Sequence, residues 1–261
     1  MQHRAKKRFG QNFLVDQNVI QNILASINPQ KTDNIIEIGP GLGALTKPML
    51  QYVDTLNVIE LDRDIIPRLL LNCQPQNNLE IHQCDVLKFD FREFCASRKI
   101  NGDLRIIGNL PYNISTAVLF LLLENRDLIR DMFFMLQKEV VERISATPGN
   151  RVYGRLSVMI QTYFDVSPLF TVPNLAFSPV PKVESAILQL VPNDRFSKDI
   201  KDHKSFENLV KNAFSHRRKT LRNTLKGLCT EEQIQSAGID PVQRAEELSV
   251  ADYIRLHQQS L

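Results

Sequence analysis

The sequence predicts an α/β protein with a mostly parallel sheet and a small helical domain at its carboxyl end. In the first two thirds of the 261 residues, short β-rich apolar runs alternate with helical stretches. Repeated βα units of this kind imply a parallel sheet with helices on both faces. Near Pro192 the chain becomes polar, and the residues after it have helical spacing. We therefore predict a sheet domain over residues 1–192, with a basic arm at its start, and a helical domain over residues 193–261.

The first predicted element after the basic arm is a helix from Asp16 to Ile27, with Asp16 as its N-cap. Its position before the first strand suits a lid over a site. The alternating region then contains predicted strands at Ile35–Ile38, Leu56–Leu61, Leu79–His82, Leu104–Ile107 and Met132–Leu136. Its predicted helices lie near Leu45–Tyr52, Ile65–Asn72, Phe91–Ser97, Ser115–Glu124 and Lys138–Ser145. A helical stretch around Leu156–Phe164 and two strand-like runs follow, at Leu169–Val172 and Ala186–Val191.

The segment Asn193–His203 is polar and charged, which is typical of a linker. The helices predicted beyond it are Lys204–Phe214, Lys219–Leu228, Glu231–Ala237, Val242–Leu248 and Val250–Gln259. Ser249 precedes the last helix and is its predicted N-cap.

The composition is that of an ordinary globular protein, with 43% hydrophobic and 23% charged residues and a mean hydropathy of −0.20. The longest apolar run, Ala117–Leu123, is far shorter than the roughly 20 residues of a membrane span. The basic amino terminus lacks the apolar core of a secretory signal, so we expect a cytoplasmic protein with no membrane partner. The four cysteines have no Cys-x-x-Cys spacing, which predicts reduced thiols and no metal site.

A glycine-rich turn follows the first strand of the alternating region, within Ile35–Ala44. Glycines let the backbone approach a ligand closely, and the start of the next helix offers free N–H groups. Glu60 ends the following strand, 21 residues after Gly39, at a distance where an acidic side chain meets ribose hydroxyls. Asp85 ends the third strand region, where a carboxylate can accept a hydrogen bond from an adenine amine. NAD and S-adenosylmethionine both carry adenosine, so the turn and Glu60 leave both cofactors open.

The fourth strand ends in the tetrad Asn109-Leu110-Pro111-Tyr112. The Asn109 side-chain oxygen and the Leu110 carbonyl can both accept hydrogen bonds from an amino group, and Tyr112 offers a ring for stacking. The tetrad resembles the Asn/Asp-Pro-Pro-Tyr type motif of methyltransferases that act on exocyclic amines. Because an NAD enzyme does not need such a tetrad, these residues favour S-adenosylmethionine.

A second aromatic residue comes with a rigid loop at Phe177–Val183, which contains two prolines and a lysine. Prolines fix where Phe177 points. A ring held near Tyr112 would sandwich a flipped base, since base–aromatic stacking is worth roughly 1–3 kcal/mol. A proline-rich connector with a buried Phe177 is the alternative.

Positive charge is concentrated although the formal net charge is only +3. One cluster is the amino-terminal arm, with Arg4, Lys6, Lys7 and Arg8, and a second is predicted on a late helix, where no acidic residue interrupts it. The second cluster consists of Arg217, Arg218, Lys219, Arg222 and Lys226. Patches matter more than the total charge when the partner is a polyanion, so we predict an RNA-phosphate surface here. An ordinary solvated surface is the alternative.

Taken together, the motifs resemble those of the KsgA/RsmA family of ribosomal RNA adenine dimethyltransferases. The matching segments are Lys7–Leu14, Glu37–Gly43, Asn109–Tyr112, Phe177–Val183 and Arg217–Asn223. The resemblance implies a class I S-adenosylmethionine-dependent methyltransferase fold, Rossmann-like, with one antiparallel strand in a mostly parallel sheet. It also implies cofactor contacts from Asn12, Leu14, Gly39, Glu60, Asp85 and Asn109.

The resemblance further implies the substrate, which is two adjacent adenosines near the 3′ end of 16S rRNA in the 30S particle, each methylated twice. Asn109, Leu110, Tyr112 and Phe177 are then the residues expected to hold the reacting base, and no metal is needed. Nothing in the sequence suggests an obligate dimer, so we expect a monomer. A related methyltransferase acting on 23S rRNA and a non-catalytic RNA-binding assembly factor remain as alternatives.

Overall fold

The structure is a computed structural model and describes residues 12–260. The predictions made for Arg4, Lys6, Lys7 and Arg8 lie outside these residues. The chain divides into two compact units. The first contains the residues up to Val141 together with Ser167–Val191, and the second contains Glu142–Val166 together with the residues from Pro192 onwards.

A seven-stranded sheet is the framework of the first unit. Its strands, in chain order after the short β1 (Phe13–Leu14), are β2 (Asn34–Ile38), β3 (Leu56–Glu60), β4 (Leu79–Gln83), β5 (Leu104–Asn109), β6 (Ile129–Gln137), β7 (Phe164–Val172) and β9 (Ser185–Pro192). The order across the sheet is β4-β3-β2-β5-β6-β9-β7. Strands β2 to β6 pair in parallel, whereas β9 is antiparallel to β6. The predicted mostly parallel sheet with an antiparallel strand is confirmed.

The helices of this region are α1 (Gln17–Ile27), α2 (Thr46–Met49), α3 (Ile66–Cys73), α4 (Phe91–Arg98), α5 (Ser115–Glu124), α6 (Lys138–Ile144) and α7 (Arg155–Tyr163). They begin and end close to where the apolar spacing predicts them, except that α2 covers only four residues of the predicted Leu45–Tyr52. Asp16 caps α1, because its carboxylate accepts hydrogen bonds from the N–H groups of Asn18 and Val19. One face of α1 is buried in the core, through Val19, Ile20, Ile23, Leu24 and Ile27.

A small second sheet joins two distant segments of the first unit. Strand β1 pairs antiparallel with β8 (Phe177–Ser178), with Leu14 opposite Phe177. The N–H of Val15 extends the pairing by donating to the carbonyl of Ala176 at 2.8 Å. This pairing places residues 12–15 at the carboxyl end of the main sheet, beside β5.

A buried ionic network lies at the opposite, amino-terminal edge of the main sheet. Arg105, only 5% exposed, donates to both carboxylate oxygens of Asp131 and to Asp33. Arg130 links the same Asp33 to Asp103. Burial would raise the pKa of Asp33, but the hydrogen bonds from the Gln30 N–H, Arg130 and Arg105 outweigh it and hold that pKa below its ordinary value.

The second unit is helical and includes more of the chain than the sequence predicts. Its remaining helices are α8 (His203–Ala213), α9 (Leu221–Thr224), α10 (Glu231–Ser236) and α11 (Val250–Ser260). The segment Glu142–Val166, predicted within the sheet domain, belongs here because α7 packs against α8 and α11. The predicted boundary after residue 192 lies within one residue of the boundary at Pro192, and the inserted segment Glu142–Val166 is what the sequence did not predict.

Two predicted helices of the second unit are wrong in extent. Residues 219–228 form only the single turn α9, and residues 242–248 contain only the 3₁₀ turn Ala245–Glu247. A backbone pairing joins the two segments, since the N–H groups of Leu221 and Arg222, the first two residues of α9, donate to the carbonyls of Gln243 and Pro241. Gly227 has a φ of +89°, which interrupts helical backbone within the predicted range 219–228.

The last helix begins where the sequence predicts. The Ser249 hydroxyl accepts from the N–H of Asp252 at 3.2 Å, and the Asp252 carboxylate accepts from the N–H of Ser249 at 2.8 Å. This reciprocal arrangement is a capping box, which confirms Ser249 as the cap. Within residues 12–260, none of the helices has the length and apolar character that crossing a membrane requires.

Candidate active site

A cavity of about 470 Å³ opens at the carboxyl ends of the parallel strands of the first unit. This volume lies in the range of small-molecule sites. Five segments line most of it, namely residues 12–15, 37–45, 59–61, 84–87 and 109–114. Four of these segments follow or end neighbouring strands, which is the edge where open α/β sheets bind ligands.

The glycine-rich turn after β2 lines the cavity and is closely packed. The N–H of Gly39 donates to the carbonyl of Ile59 at 2.9 Å, which ties the turn to β3. Gly41 has a φ of +56°, and a Cβ there would lie 3.2 Å from the Phe13 ring. A side chain is therefore disfavoured here both by the backbone conformation and by the neighbouring ring.

Glu60, at the end of β3, presents a carboxylate to the cavity. It is only 8% exposed and accepts a 2.7 Å hydrogen bond from the N–H of Asp62. Burial raises the pKa of Glu60 and the Asp62 charge adds to the rise, while N–H donors from Asp62, Gly41 and Leu61 oppose it. A buried carboxylate that lines the cavity suits the hydroxyls of a ribose.

Glu37 is a second buried carboxyl at the cavity, and the sequence reasoning missed it. Its Oε2 accepts a 2.7 Å hydrogen bond from the Thr46 hydroxyl. Burial is the main cause that raises its pKa to about 7; the Thr46 hydroxyl lowers it and the Glu60 charge raises it. The signal that would have found it is an acidic residue inside an otherwise apolar strand, two positions before Gly39.

Asp85 lies beyond β4 and lines the same cavity. Its Oδ1 accepts from the N–H of Leu87 at 3.0 Å and so caps the short 3₁₀ turn Val86–Lys88. The cap fixes the carboxylate at the rim of the cavity.

The tetrad after β5 is held at each end by hydrogen bonds. The Nδ2 group of Asn109 donates to the main-chain carbonyl of Asn12 at 3.2 Å. The N–H of Leu110 donates to the carbonyl of Met135 on β6, also at 3.2 Å. The Tyr112 hydroxyl lies 3.1 Å from the hydroxyl of Ser185. Because the amide N–H of Asn109 is used towards Asn12, its oxygen remains as the acceptor for a ligand.

Phe177 is not at the cavity. Its ring is 2% exposed and belongs to the apolar core cluster that also contains Leu14 and Ile20. The β1–β8 pairing explains this, since Leu14 and Phe177 are opposite each other and both point into the core, while Ser178 is exposed. The predicted stacking of Phe177 on a base is therefore wrong, and the alternative of a buried phenylalanine holds.

The structure brings most of the predicted site residues together in the cavity. Those that line it are Asn12, Leu14, Gly39, Glu60, Asp85, Asn109, Leu110 and Tyr112. Helix α1 does not line it, so the predicted lid is wrong, because the apolar face of α1 is used in the core. Within the part of the chain that is described, no group of His, Cys, Asp and Glu side chains is arranged to hold a metal ion.

The basic residues of the late cluster lie in the second unit and are all exposed. They are Arg217, Arg218, Lys219, Arg222 and Lys226. Arg217 donates to the carbonyl of Arg151, which adds a neighbouring cation to the surface. The prediction that one helix carries the cluster is wrong, since only Arg222 is on α9 and the others are in the turns before and after it.

A comparison with known families decides between the remaining interpretations of the cavity. The family described as "Ribosomal RNA adenine dimethylase" matches residues 2–260. The chain belongs to this family. The predicted family, the class I methyltransferase fold, enzymatic activity and the S-adenosylmethionine cofactor are thereby confirmed, and the NAD and non-catalytic alternatives are set aside.

Individual relatives agree with this membership. "Ribosomal RNA small subunit methyltransferase A" of Pseudomonas fluorescens is 52% identical over 258 residues, which cover 99% of this chain and 94% of the relative. The protein of the same name from Haemophilus ducreyi is 49% identical, with 97% and 89% covered. Among solved structures, a dimethyladenosine transferase from Plasmodium falciparum is similar with a TM-score of 0.77 at 25% identity, covering 94% of this chain and 95% of that one. The 23S rRNA methyltransferase ErmE has the same fold, with a TM-score of 0.72 at 22% identity, and 95% and 99% covered.

Proposed function

We propose that this enzyme dimethylates the exocyclic amines of two adjacent adenosines near the 3′ end of 16S rRNA, in the 30S particle or its precursor. The observation that carries the chemistry is the convergence of Asn109, Glu60 and the Gly39 turn on one cavity. The small-subunit target is supported by the relatives of about 50% identity that are named small subunit methyltransferase A. A monomeric enzyme in the cytoplasm, where ribosomal particles are made, completes the proposal.

Several of the residues that line the cavity suit the cofactor. Glu60 is placed to accept hydrogen bonds from ribose hydroxyls, and Asp85 from an adenine amine. Gly39, Asn12 and Leu14 also line the cavity, and we assign them to contacts with the cofactor. S-adenosylmethionine supplies, when bound, a methyl group already activated on a sulfonium, so the enzyme's task is mainly to position the acceptor amine.

Asn109 and Leu110 provide the acceptors for the substrate amine. The Asn109 amide is oriented by Asn12, and within residues 12–260 no hydrogen bond to the Leu110 carbonyl is found. Two hydrogen bonds from the amine to these oxygens favour a more tetrahedral nitrogen, whose lone pair is less delocalised into the purine. No general base is required before transfer, because the amine proton becomes acidic once the nitrogen is alkylated and then leaves to water.

Tyr112 provides the surface that holds the base. Its ring is half-buried at the cavity and next to Asn109 and Leu110 in the turn. An adenine must leave the RNA stack to reach the cavity, and stacking on an aromatic ring returns roughly 1–3 kcal/mol. With Phe177 buried, Tyr112 carries this contact without a second ring from that loop.

RNA affinity is assigned to the exposed cations of the second unit. Arg217, Arg218, Lys219, Arg222 and Lys226 present five positive charges to solvent within ten residues. Cations of this kind neutralise phosphates and release counterions, which gives affinity without reading sequence. We assign register and binding strength to this surface and amine recognition to the cavity.

Methylation of isolated ribosomal particles with labelled cofactor tests the proposal. Particles from cells that lack this enzyme are the substrate, and 23S rRNA with its 50S particle is the competitor. We expect label in two adjacent adenosines of 16S rRNA, recovered as dimethyladenosine after digestion. Label confined to 23S rRNA would replace the proposed target by that of ErmE-like enzymes, and Asn109→Ala controls for labelling that does not use the cavity.

A further inference from the structure

Ser185 stands outside every motif described above but makes a direct contact with one of them. It is the first residue of β9, and it is fully buried at 0% exposure. Its hydroxyl lies 3.1 Å from the Tyr112 hydroxyl, across 73 positions of sequence. Among the described residues, Tyr112 is the hydrogen-bond partner found for the Ser185 side chain.

The backbone on both sides of Ser185 is held by strand pairing and by neighbouring contacts. Ser185 is opposite Gln137 in the antiparallel β6–β9 pairing. One residue away, the N–H of Lys138 donates to the carbonyl of Glu184 at 3.0 Å, and the two side chains form an ion pair at 2.9 Å. The same β6 strand accepts the N–H of Leu110 through Met135. The serine hydroxyl is thus fixed to the same strand that fixes the substrate-amine acceptors.

We propose that Ser185 is a positioning residue for methyl transfer, which holds the Tyr112 hydroxyl and thereby fixes the ring on which the adenine stacks. The inference rests on the proposed function, because that function supplies the adenine that stacks on the Tyr112 ring. A ring tethered at its hydroxyl as well as at its Cβ has one orientation, whereas a ring tethered only at Cβ turns about its side-chain bonds. A ring with one orientation holds the stacked adenine in place, so that its amine stays within hydrogen-bonding distance of the acceptors at Asn109 and Leu110.

Ser185→Ala tests the role, since it removes the hydroxyl and nothing else. We expect kcat on ribosomal particles to fall by about tenfold, because small displacements of a reacting group are costly. Cofactor affinity, measured by calorimetry without RNA, is expected to be unchanged, since Ser185 does not line the cavity. Ser185→Thr keeps a hydroxyl on the same Cβ and is expected to restore kcat.

The matched control is Ser157→Ala. Ser157 is equally buried, accepts from the Gly154 N–H and donates to the Arg143 carbonyl, all within the second unit. Its loss is expected to lower the melting temperature without changing kcat. If Ser185→Ala behaves like Ser157→Ala, or weakens cofactor binding as much as it lowers kcat, the positioning role is wrong. A Ser185→Thr variant that melts like the wild type but stays slow would also overturn it.

A spectroscopic measurement separates this inference from the proposed function. The ¹³Cζ resonance of Tyr112, assigned with Tyr112→Phe among the five tyrosines, reports its hydroxyl hydrogen bond. We expect Ser185→Ala to shift this resonance alone. An enzyme that methylates 23S rRNA instead would refute the proposed target and leave this result intact. An unshifted resonance in Ser185→Ala would refute the Ser185 tether whatever the RNA substrate.

Discussion

The side-chain amide of Asn109 donates a 3.2 Å hydrogen bond to the main-chain carbonyl of Asn12, across 97 positions of sequence. This contact decides which end of the amide faces the cavity, since the donating NH₂ group is used towards Asn12. The β1–β8 pairing holds Asn12 in place, because Phe13 and Leu14 follow it directly. The proposed acceptor for the substrate amine is therefore oriented by residues 12–14.

Replacing Asn109 by alanine removes that acceptor and leaves the basic surface of the second unit unchanged. We expect kcat to fall by on the order of 10²-fold, comparable to the loss of one hydrogen-bonding group that acts in a transition state. RNA binding, measured by filter retention, is expected to stay at the wild-type level. Unchanged turnover would remove Asn109 from the mechanism.

The basic surface predicts a change in the salt dependence of RNA binding. For Arg218→Ala we expect the slope of log K against log salt to become about one unit shallower, and for Arg217→Ala/Arg218→Ala about two units. Lys31→Ala is the matched control, since it changes the net charge equally but lies just before β2, at the opposite end of the strands from the cavity. Equal slopes for Arg218→Ala and Lys31→Ala would contradict an RNA surface at the late cluster.

Glu37 predicts a pH dependence of stability. Its folded pKa of about 7 lies above its ordinary value of 4.5. The folded state therefore binds the Glu37 proton more tightly than the unfolded state does. The stability that this proton contributes is fully present below pH 4.5 and is lost as the pH rises through 7. The loss amounts to about 3 kcal/mol.

Glu37→Gln keeps an acceptor for the Thr46 hydroxyl without a titrating proton. We expect urea unfolding to give equal free energies for the two proteins near pH 4 and a growing advantage of the variant up to pH 8. A constant difference across this range would show that Glu37 ionisation does not contribute.

The ionic network at the amino-terminal edge predicts a large stability effect at a distance from the cavity. Arg105→Met leaves the buried Asp33 without one of its partners, and breaking a buried pair in this way costs about 3–5 kcal/mol. The pKa of Asp33 is lowered in the folded state, so the stability that its ionised carboxylate contributes is lost as the pH falls. The difference in unfolding free energy between Arg105→Met and the wild type should therefore narrow in acid. Denaturant unfolding at several pH values measures both effects.

The exposed pair Lys31–Asp54, at 3.7 Å, is the comparison for that network. Lys31→Ala should change stability by less than about 1 kcal/mol, since exposed ion pairs are screened by solvent. The kcat of folded Arg105→Met should equal that of the wild type. A large loss of kcat in this variant would show that the network also supports the site.

Much of the cavity is predictable because its chemistry is encoded locally. The Gly39 turn, Glu60, Asp85 and Asn109 each end or follow a strand, and parallel strands place their carboxyl ends at one edge. The predictions that are wrong concern features that depend on pairing between distant segments of the chain. Phe177 is buried because β8 pairs with β1, and the predicted helix 219–228 is only one turn, whose first N–H groups pair with the carbonyls of Gln243 and Pro241.

The sequence by itself determined the α/β class, the order of strands and helices in the first unit, and the cofactor and amine chemistry, because alternation of apolar residues and short motifs are local properties of the chain. Only the tertiary structure decided the orientation of the Asn109 amide, the burial of Phe177, the Ser185 contact with Tyr112 and the placing of Glu142–Val166 in the second unit. Each of these features depends on which distant segments of the chain are in contact. Packing and hydrogen bonding select those neighbours once the whole chain has folded.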